Sequence, residues 1–240
     1  MKINMEYMSK RVSFDNQKDL RLSAIIDLPK SEPKAYAVYA PCFTCGKDIL
    51  CANRLGKYLA GNDIATLRID FTGIGNSEGK FEDSTFSDNV SDIISAAQYL
   101  EKNFRAPKIL IGHSFGGPTI LMASLSLSVS HIMTLNSPSS PKHLLKTFSH
   151  LREEIRLKGK IPVIIGKKTV QISESFMSDL ENYPFEDNLL FVKTQTHVFH
   201  AVDDNEVPFE KGELLFQSLL CRKNFFALKN MNHLLDRKEY

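Results

Sequence analysis

The sequence has no stretch approaching ~18 consecutive apolar residues, so no segment reads as a membrane-spanning helix. It also lacks an excess of either charge. Thirty basic residues stand against 28 acidic ones, and the basic clusters are short pairs such as Lys167-Lys168 and Arg222-Lys223. That balance removes the electrostatic case for nucleic acid as a partner. Cysteine is scarce: Cys42, Cys45, Cys51 and Cys221 are too few to suggest a disulfide framework in 240 residues. Cys42 and Cys45 form a C-x-x-C pair with no second pair at zinc-site spacing. They read as a redox pair or, more blandly, as small soft residues packed beside a pocket. Repeats, low-complexity tracts and the G-x-G-x-x-G dinucleotide fingerprint are missing too. Residues 1–11 are polar and charged, without the apolar run of a signal peptide, so the cytoplasm is the simplest address.

What is present suits one α/β domain. Apolar residues make up 42% of the chain, enough for a sizeable core. Val12–Asp15 and Leu20–Leu28 read as an opening antiparallel pair broken at Asn16-Gln17. Short apolar runs at Ala35–Ala40, Ile64–Ile69, Lys108–Ile111, His131–Leu135, Val198–Val202 and Asn224–Leu228 read as strands, several of them buried on both faces. Helical spacing falls between them: Asp48–Ala60, Ser87–Phe104 with Ser87 as N-cap, Phe115–Ser126 and Pro208–Leu220. Strands alternating with helices predict a mainly parallel sheet flanked by helices. Ser137–Thr196 breaks the rhythm. Within it a helix is marked by Leu144, Leu145, Phe148, Leu151 and Ile155, a hairpin turns at Gly166, and a short helix covers Ser175–Leu180. The division expected is a core of residues 1–136 and 197–240 with residues 137–196 inserted as a lid.

Between one of these strands and its helix lies Gly112-His113-Ser114-Phe115-Gly116-Gly117. The G-x-S-x-G pattern is common by chance, but at a strand-to-helix turn it signals a nucleophile elbow. The turn is sharp enough to force positive φ on Ser114. Side chains at Gly112 and Gly116 would collide, and Gly117 adds clearance where the helix passes the strand. A serine hydroxyl needs a base, and the base an orienting carboxylate, in the chain order Ser, acid, His. His233 is the one histidine beyond the last predicted strand. Asp203, Asp204 and Glu206 follow the strand before it, and Asp204 is the best placed, just ahead of Val207-Pro208. An oxyanion hole would take one amide from Phe115 and another from the loop after Ala40.

The segments Cys42-Phe-Thr-Cys-Gly-Lys-Asp, Arg68-Ile-Asp-Phe-Thr-Gly-Ile-Gly-Asn-Ser-Glu-Gly, Gly112-His-Ser-Phe-Gly-Gly and Asn232-His-Leu-Leu carry a resemblance. The chain resembles the α/β-hydrolase superfamily nearly end to end, most of all the small serine hydrolases found alone or fused to osmotically induced, peroxide-reducing domains. The resemblance implies that Phe43 supplies the second oxyanion amide, that Asp204 and His233 are acid and base, and that Asp70 braces a loop. It also marks two departures. Pro41 stands where the family usually has histidine. The chain stops seven residues after His233, where the family usually continues into a helix. The implied chemistry is acyl transfer to water, with a small-molecule acyl ester as partner and no metal or organic cofactor. Thioester and peptide cleavage stay open, as does a homodimer. Two further readings remain: a hydrolase-fold binding protein with weak or no catalysis, and a redox-linked partner acting through Cys42 and Cys45.

Overall fold

In the computed structural model, which describes residues 7–166 and 168–236, the opening pair forms as expected. Strand β1 (Tyr7–Asp15) pairs antiparallel with β2 (Arg21–Pro29) around the Asn16–Asp19 turn. The predicted runs become β3 (Ala35–Ala40), β4 (Ile64–Ile69), β5 (Ile109–His113) and β6 (His131–Leu135). After the insertion come β9 (Gln195–Ala201) and β10 (Lys223–Leu228), numbered to follow the insertion's own strands β7 (Lys160–Ile165) and β8 (Lys168–Ser173). Eight strands form one sheet in the order β1-β2-β4-β3-β5-β6-β9-β10, and only β2 runs against the others. The sheet is therefore mainly parallel, and its C-terminal edge gathers the loops after β3, β5, β6, β9 and β10, where such sheets place their sites.

Helices α1 (Leu50–Ala60), α2 (Phe86–Asn103), α3 (Gly116–Ala123) and α8 (Phe209–Ser218) connect the strands, and four further helices lie between β6 and β9. The larger apolar core lies between the sheet and α2 and α3, around Leu22, Leu67, Ile93, Leu110 and Ile120. On the other face α1 packs over Tyr39, Ile109 and Ile111. The N-cap of α2 is Thr85, not Ser87. Thr85 and Asp88 exchange side-chain and backbone hydrogen bonds in a capping box, while the Ser87 hydroxyl donates to Asp179 at 2.7 Å.

The single helix expected over residues 144–155 is two: α4 (His143–Thr147) and α5 (Arg152–Lys158), separated by a 3₁₀ turn at Ser149–Leu151. Phe148 has left the helical region, and the Ser149 hydroxyl takes the Lys146 carbonyl, a side-chain competitor for the helix ladder. The hairpin β7–β8, α6 (Glu174–Asn182) and α7 (Phe185–Leu189), the last not anticipated, complete the insertion. Phe148, Ile155, Phe176, Met177, Leu180 and Phe185 are buried in the main core, so much of the insertion's apolar surface is packing. Among the described residues no helix is long and apolar enough to cross a membrane. Residues 1–6 and the last four lie outside the described residues, so the expectations about the leading segment and the closing helix have no structural counterpart there.

Candidate active site

At the end of β5 the chain reverses into α3 within two residues. Ser114 has φ 51°; its N–H donates to Leu135 O at 2.8 Å and its carbonyl accepts from Gly117 at 2.9 Å. The glycines are required by backbone rather than by side chains. A Cβ at Gly112 would lie 2.3 Å from Gly116 O, and one at Gly116 would lie 2.4 Å from Ala40 O and 2.7 Å from Pro41 O. A Cβ at Gly117 would strike Ser137 just past β6.

The structure brings three of the expected residues into one chain of hydrogen bonds. His233 Nδ1 lies 2.8 Å from Asp204 Oδ2, and His233 Nε2 lies 3.0 Å from Ser114 Oγ. A carboxylate only accepts, so the ring proton sits on Nδ1 and Nε2 offers its lone pair to the serine hydroxyl. All three residues are buried. Of the competing acids, Asp203 is exposed and Glu206 reaches no nearer than 3.9 Å to His233 Nε2 from an exposed position. Burial pushes the Asp204 carboxyl up. Hydrogen bonds from His233 and from the amides of Val207 and Glu206 outweigh this and hold it below its ordinary value.

Other histidines support this arrangement without joining it. His200 on β9 is buried, and its Nε2–H donates to Val207 O at 2.9 Å, tying down the loop that carries Asp204. His113 Nε2–H donates to the carbonyl of His233 at 2.7 Å. Burial pushes the His113 pKa down to about 4, so the ring is neutral. His131 and His197 face each other at 3.3 Å away from this cluster. Asn136, with φ 46°, donates from Nδ2 to the carbonyls of Asn232 and His233 and accepts from Ala201 N–H. Neither Asn136 nor the bracing contacts of His113 and His200 were foreseen. They act through loop backbone atoms, which for His113 and Asn136 are distant in sequence, and one asparagine after a strand carries no such mark.

The loop after β3 bears Phe43. Its ring packs edge-on against Phe115 at 5.4 Å and against Phe81 and Phe176, so the insertion's α6 rests directly on it. Among the described residues neither the Phe43 nor the Phe115 amide has an intramolecular acceptor. Cys42 and Cys45 are joined by a disulfide, which corrects the reading of them as mere soft packing residues. The far end of the loop is held by buried charge. Asp70 accepts from the amide of Lys47 at 2.7 Å and pairs with its ammonium, while Arg68, paired with Asp27, donates to the Lys47 carbonyl. Among the described residues no cluster of three or more potential metal ligands occurs.

The comparisons bear on the fold and on the class of enzyme. A family model described as serine aminopeptidase, S33, matches residues 45–132. The esterase domain of a Rhodothermus marinus protein superposes with a TM-score of 0.74 at 28% identity, covering 96% of this chain and 91% of that one. The chain is an α/β-hydrolase. Among curated proteins the hydrolase is similar to the mitochondrial palmitoyl-protein thioesterase ABHD10. It is 24% identical to the Pongo abelii protein over 95% of this chain and 75% of that one, and 23% identical to the Homo sapiens protein over 82% and 65%. Mouse ABHD10 shares the fold with a TM-score of 0.79 at 17% identity, over 95% of this chain and 92% of that one. The hydrolase is thus esterase- or thioesterase-like.

Proposed function

We propose that Ser114, His233 and Asp204 are a catalytic triad that cleaves a small ester or thioester through an acyl-enzyme. The observation that carries this is the unbroken Ser114 Oγ–His233 Nε2 and His233 Nδ1–Asp204 Oδ2 chain, at 3.0 and 2.8 Å, behind a serine held at φ 51°. In the first step His233 Nε2 takes the hydroxyl proton as Oγ attacks the acyl carbonyl. Asp204, kept ionised by its three donors, fixes the Nδ1–H tautomer and stabilises the imidazolium. The carbonyl oxygen gains negative charge, and the amides of Phe43 and Phe115, which have no acceptor among the described residues, are the donors assigned to it in this reading. His233 then returns the proton to the leaving alcohol or thiol. Water, activated by the same nitrogen, releases the acid.

An apolar acyl group is favoured on two grounds. Phe43, Phe81, Phe115, Phe148 and Phe176 form a contiguous aromatic cluster beside the serine, and the curated relatives are named for removing palmitoyl groups from thioesters. In this reading residues 137–196, whose Phe148 and Phe176 contribute to that cluster, are the lid. The test is a serine-reactive fluorophosphonate probe, followed by matched series of ester and thioester substrates of increasing chain length. Wild type should label and Ser114→Ala should not, with turnover falling at least ~10⁴-fold. Folded wild type that fails to label, or labelling that survives Ser114→Ala, overturns the triad.

A further inference from the structure

The base of this site sits on the least supported part of the sheet's C-terminal edge. His233 follows β10, an edge strand, in a loop where Asn230 and Leu235 both have positive φ. A ring carried by such a loop has to be placed within tenths of an ångström of two partners from other strands. Its own two ring contacts cannot do this alone, because one of them must break and re-form in every turnover. The loop is fixed instead through the main-chain carbonyl of His233, which has two side-chain donors: His113 Nε2 at 2.7 Å and Asn136 Nδ2 at 2.9 Å.

These donors sit where they relate the base to its partners. His113 adjoins Ser114, so its hydrogen bond measures the base against the nucleophile across one peptide link. Asn136 ties the base to the acid strand. Its Nδ2 holds the carbonyls of Asn232 and His233, its Oδ1 accepts from Ala201, and its own amide donates to Phe199 O at 2.9 Å. Ala201 ends β9, three residues before Asp204. The chemistry of each residue is specific to the task. Only a side-chain amide of this length offers a donor to two carbonyls and an acceptor to an N–H at once, and asparagine also tolerates the φ of 46° found here. A carbonyl only accepts, so the His113 proton is on Nε2. Its Nδ1 has no hydrogen-bond partner among the described residues, as a bare lone pair allows and a buried N–H would not.

We propose that Asn136 and His113 are positioning residues that set the base against nucleophile and acid by clamping the backbone carbonyl of His233. The proposal rests on the triad reading. Neither residue touches substrate. Loss of the clamp leaves the acyl site intact but lets the imidazole wander, so turnover falls while substrate binding does not.

The experiment uses the full chain and the variants His113→Leu, His113→Gln and Asn136→Asp, with fluorophosphonate labelling rate, kcat, KM and the pH profile of kcat/KM on one ester. Glutamine places an N–H near the position of Nε2, whereas leucine fills the space without a donor. Aspartate keeps the acceptor for Ala201 and turns its other carboxylate oxygen, where Nδ2 was, on the two carbonyls. His113→Leu and Asn136→Asp should lower kcat and the labelling rate by about ten-fold or more with KM within about two-fold. They should also displace the acid limb of the pH profile, and His113→Gln should recover most of the loss. Folded His113→Leu with wild-type kcat and pH profile overturns the proposal, as does His113→Gln no better than His113→Leu. If His113→Leu does not fold, Asn136→Asp decides: folded protein with unchanged kcat overturns it. Failure of wild type itself to label would instead sink the triad, so the two failures are told apart.

Discussion

Single atoms decide much of this site. Gly116 lacks a Cβ because the end of β3 leaves no room for one: the nearest obstacles would be the carbonyl oxygens of Ala40 and Pro41, at 2.4 and 2.7 Å. Backbone cannot swing aside as a side chain does. Gly116→Ala should therefore push the β3 end outward, and with it the loop that follows, which carries Phe43 three residues beyond Ala40. The expected cost is about 1–3 kcal/mol of stability, as for other overpacked sites, together with a loss of turnover larger than that stability loss explains. Urea midpoints and kcat measured on the same preparations check this. A variant with wild-type turnover would show that the Phe43 loop is indifferent to the position of β3. At this scale the sequence was readable wherever chemistry narrows the choice. A serine between spaced glycines, one histidine late in the chain and an acid before Val-Pro are few enough to name. Asn136 and the contacts of His113 and His200 were not readable, because each works by meeting a loop backbone group that only the fold brings within reach.

The elements were legible to the degree that their burial is uniform. The strands β3 to β5 are almost wholly buried and advertise themselves as apolar runs. The insertion is harder to read, because its apolar spacing is helical while a serine hydroxyl and a turn at Phe148 divide the helix. The disulfide could not be read as such, since a C-x-x-C pair is equally compatible with thiols or a metal. Its position is informative. Cys45 N–H donates to Cys42 O at 3.0 Å, closing a four-residue turn with Thr44 at φ 62°, and the disulfide staples that turn around Phe43. A non-glycine residue at this φ is held there by its surroundings. A dithiol that gives two electrons and two protons to Cys42 and Cys45 frees the turn, while Lys47, Asp70 and Arg68 keep the far end in place. Turnover should fall on reduction, by less than the ~10²-fold that losing an oxyanion donor costs outright, and recover on reoxidation. Thermal unfolding should change little, because so short a loop contributes little closure entropy. Thiol titration before and after treatment establishes the state assayed. Equal turnover in both states would show that the turn holds Phe43 without the disulfide.

For the molecule as a whole, two buried groups pull stability in opposite directions over the same range of pH. Asp92 on α2 joins distant parts of the fold. Its carboxylate accepts from Asn16 in the β1–β2 turn at 2.8 Å and from the amide and hydroxyl of Thr72 after β4. Burial raises its pKa from 3.8 to about 6 despite those donors. The folded protein therefore keeps a proton that the unfolded chain has lost, and the Asp92 contribution to stability is full below about pH 4 and declines as pH rises towards 6. His113 runs the other way. Its folded value of about 4 lies below the ordinary 6.5, so the unfolded chain takes up a proton that the folded one refuses. Its contribution is full above about pH 6.5 and declines as pH falls towards 4. Each shift is worth at most about 3 kcal/mol across its window, so the two nearly cancel and mask one another in the wild type. Substitution separates them. His113→Gln should flatten the loss of stability on acidification from pH 6.5 to 4.5, and Asp92→Asn should steepen it. Denaturant unfolding at half-unit steps of pH gives all three curves. Parallel curves would mean that neither burial shifts proton binding, whereas opposite deviations from wild type would identify a neutral His113 ring, the form that the clamp on His233 requires.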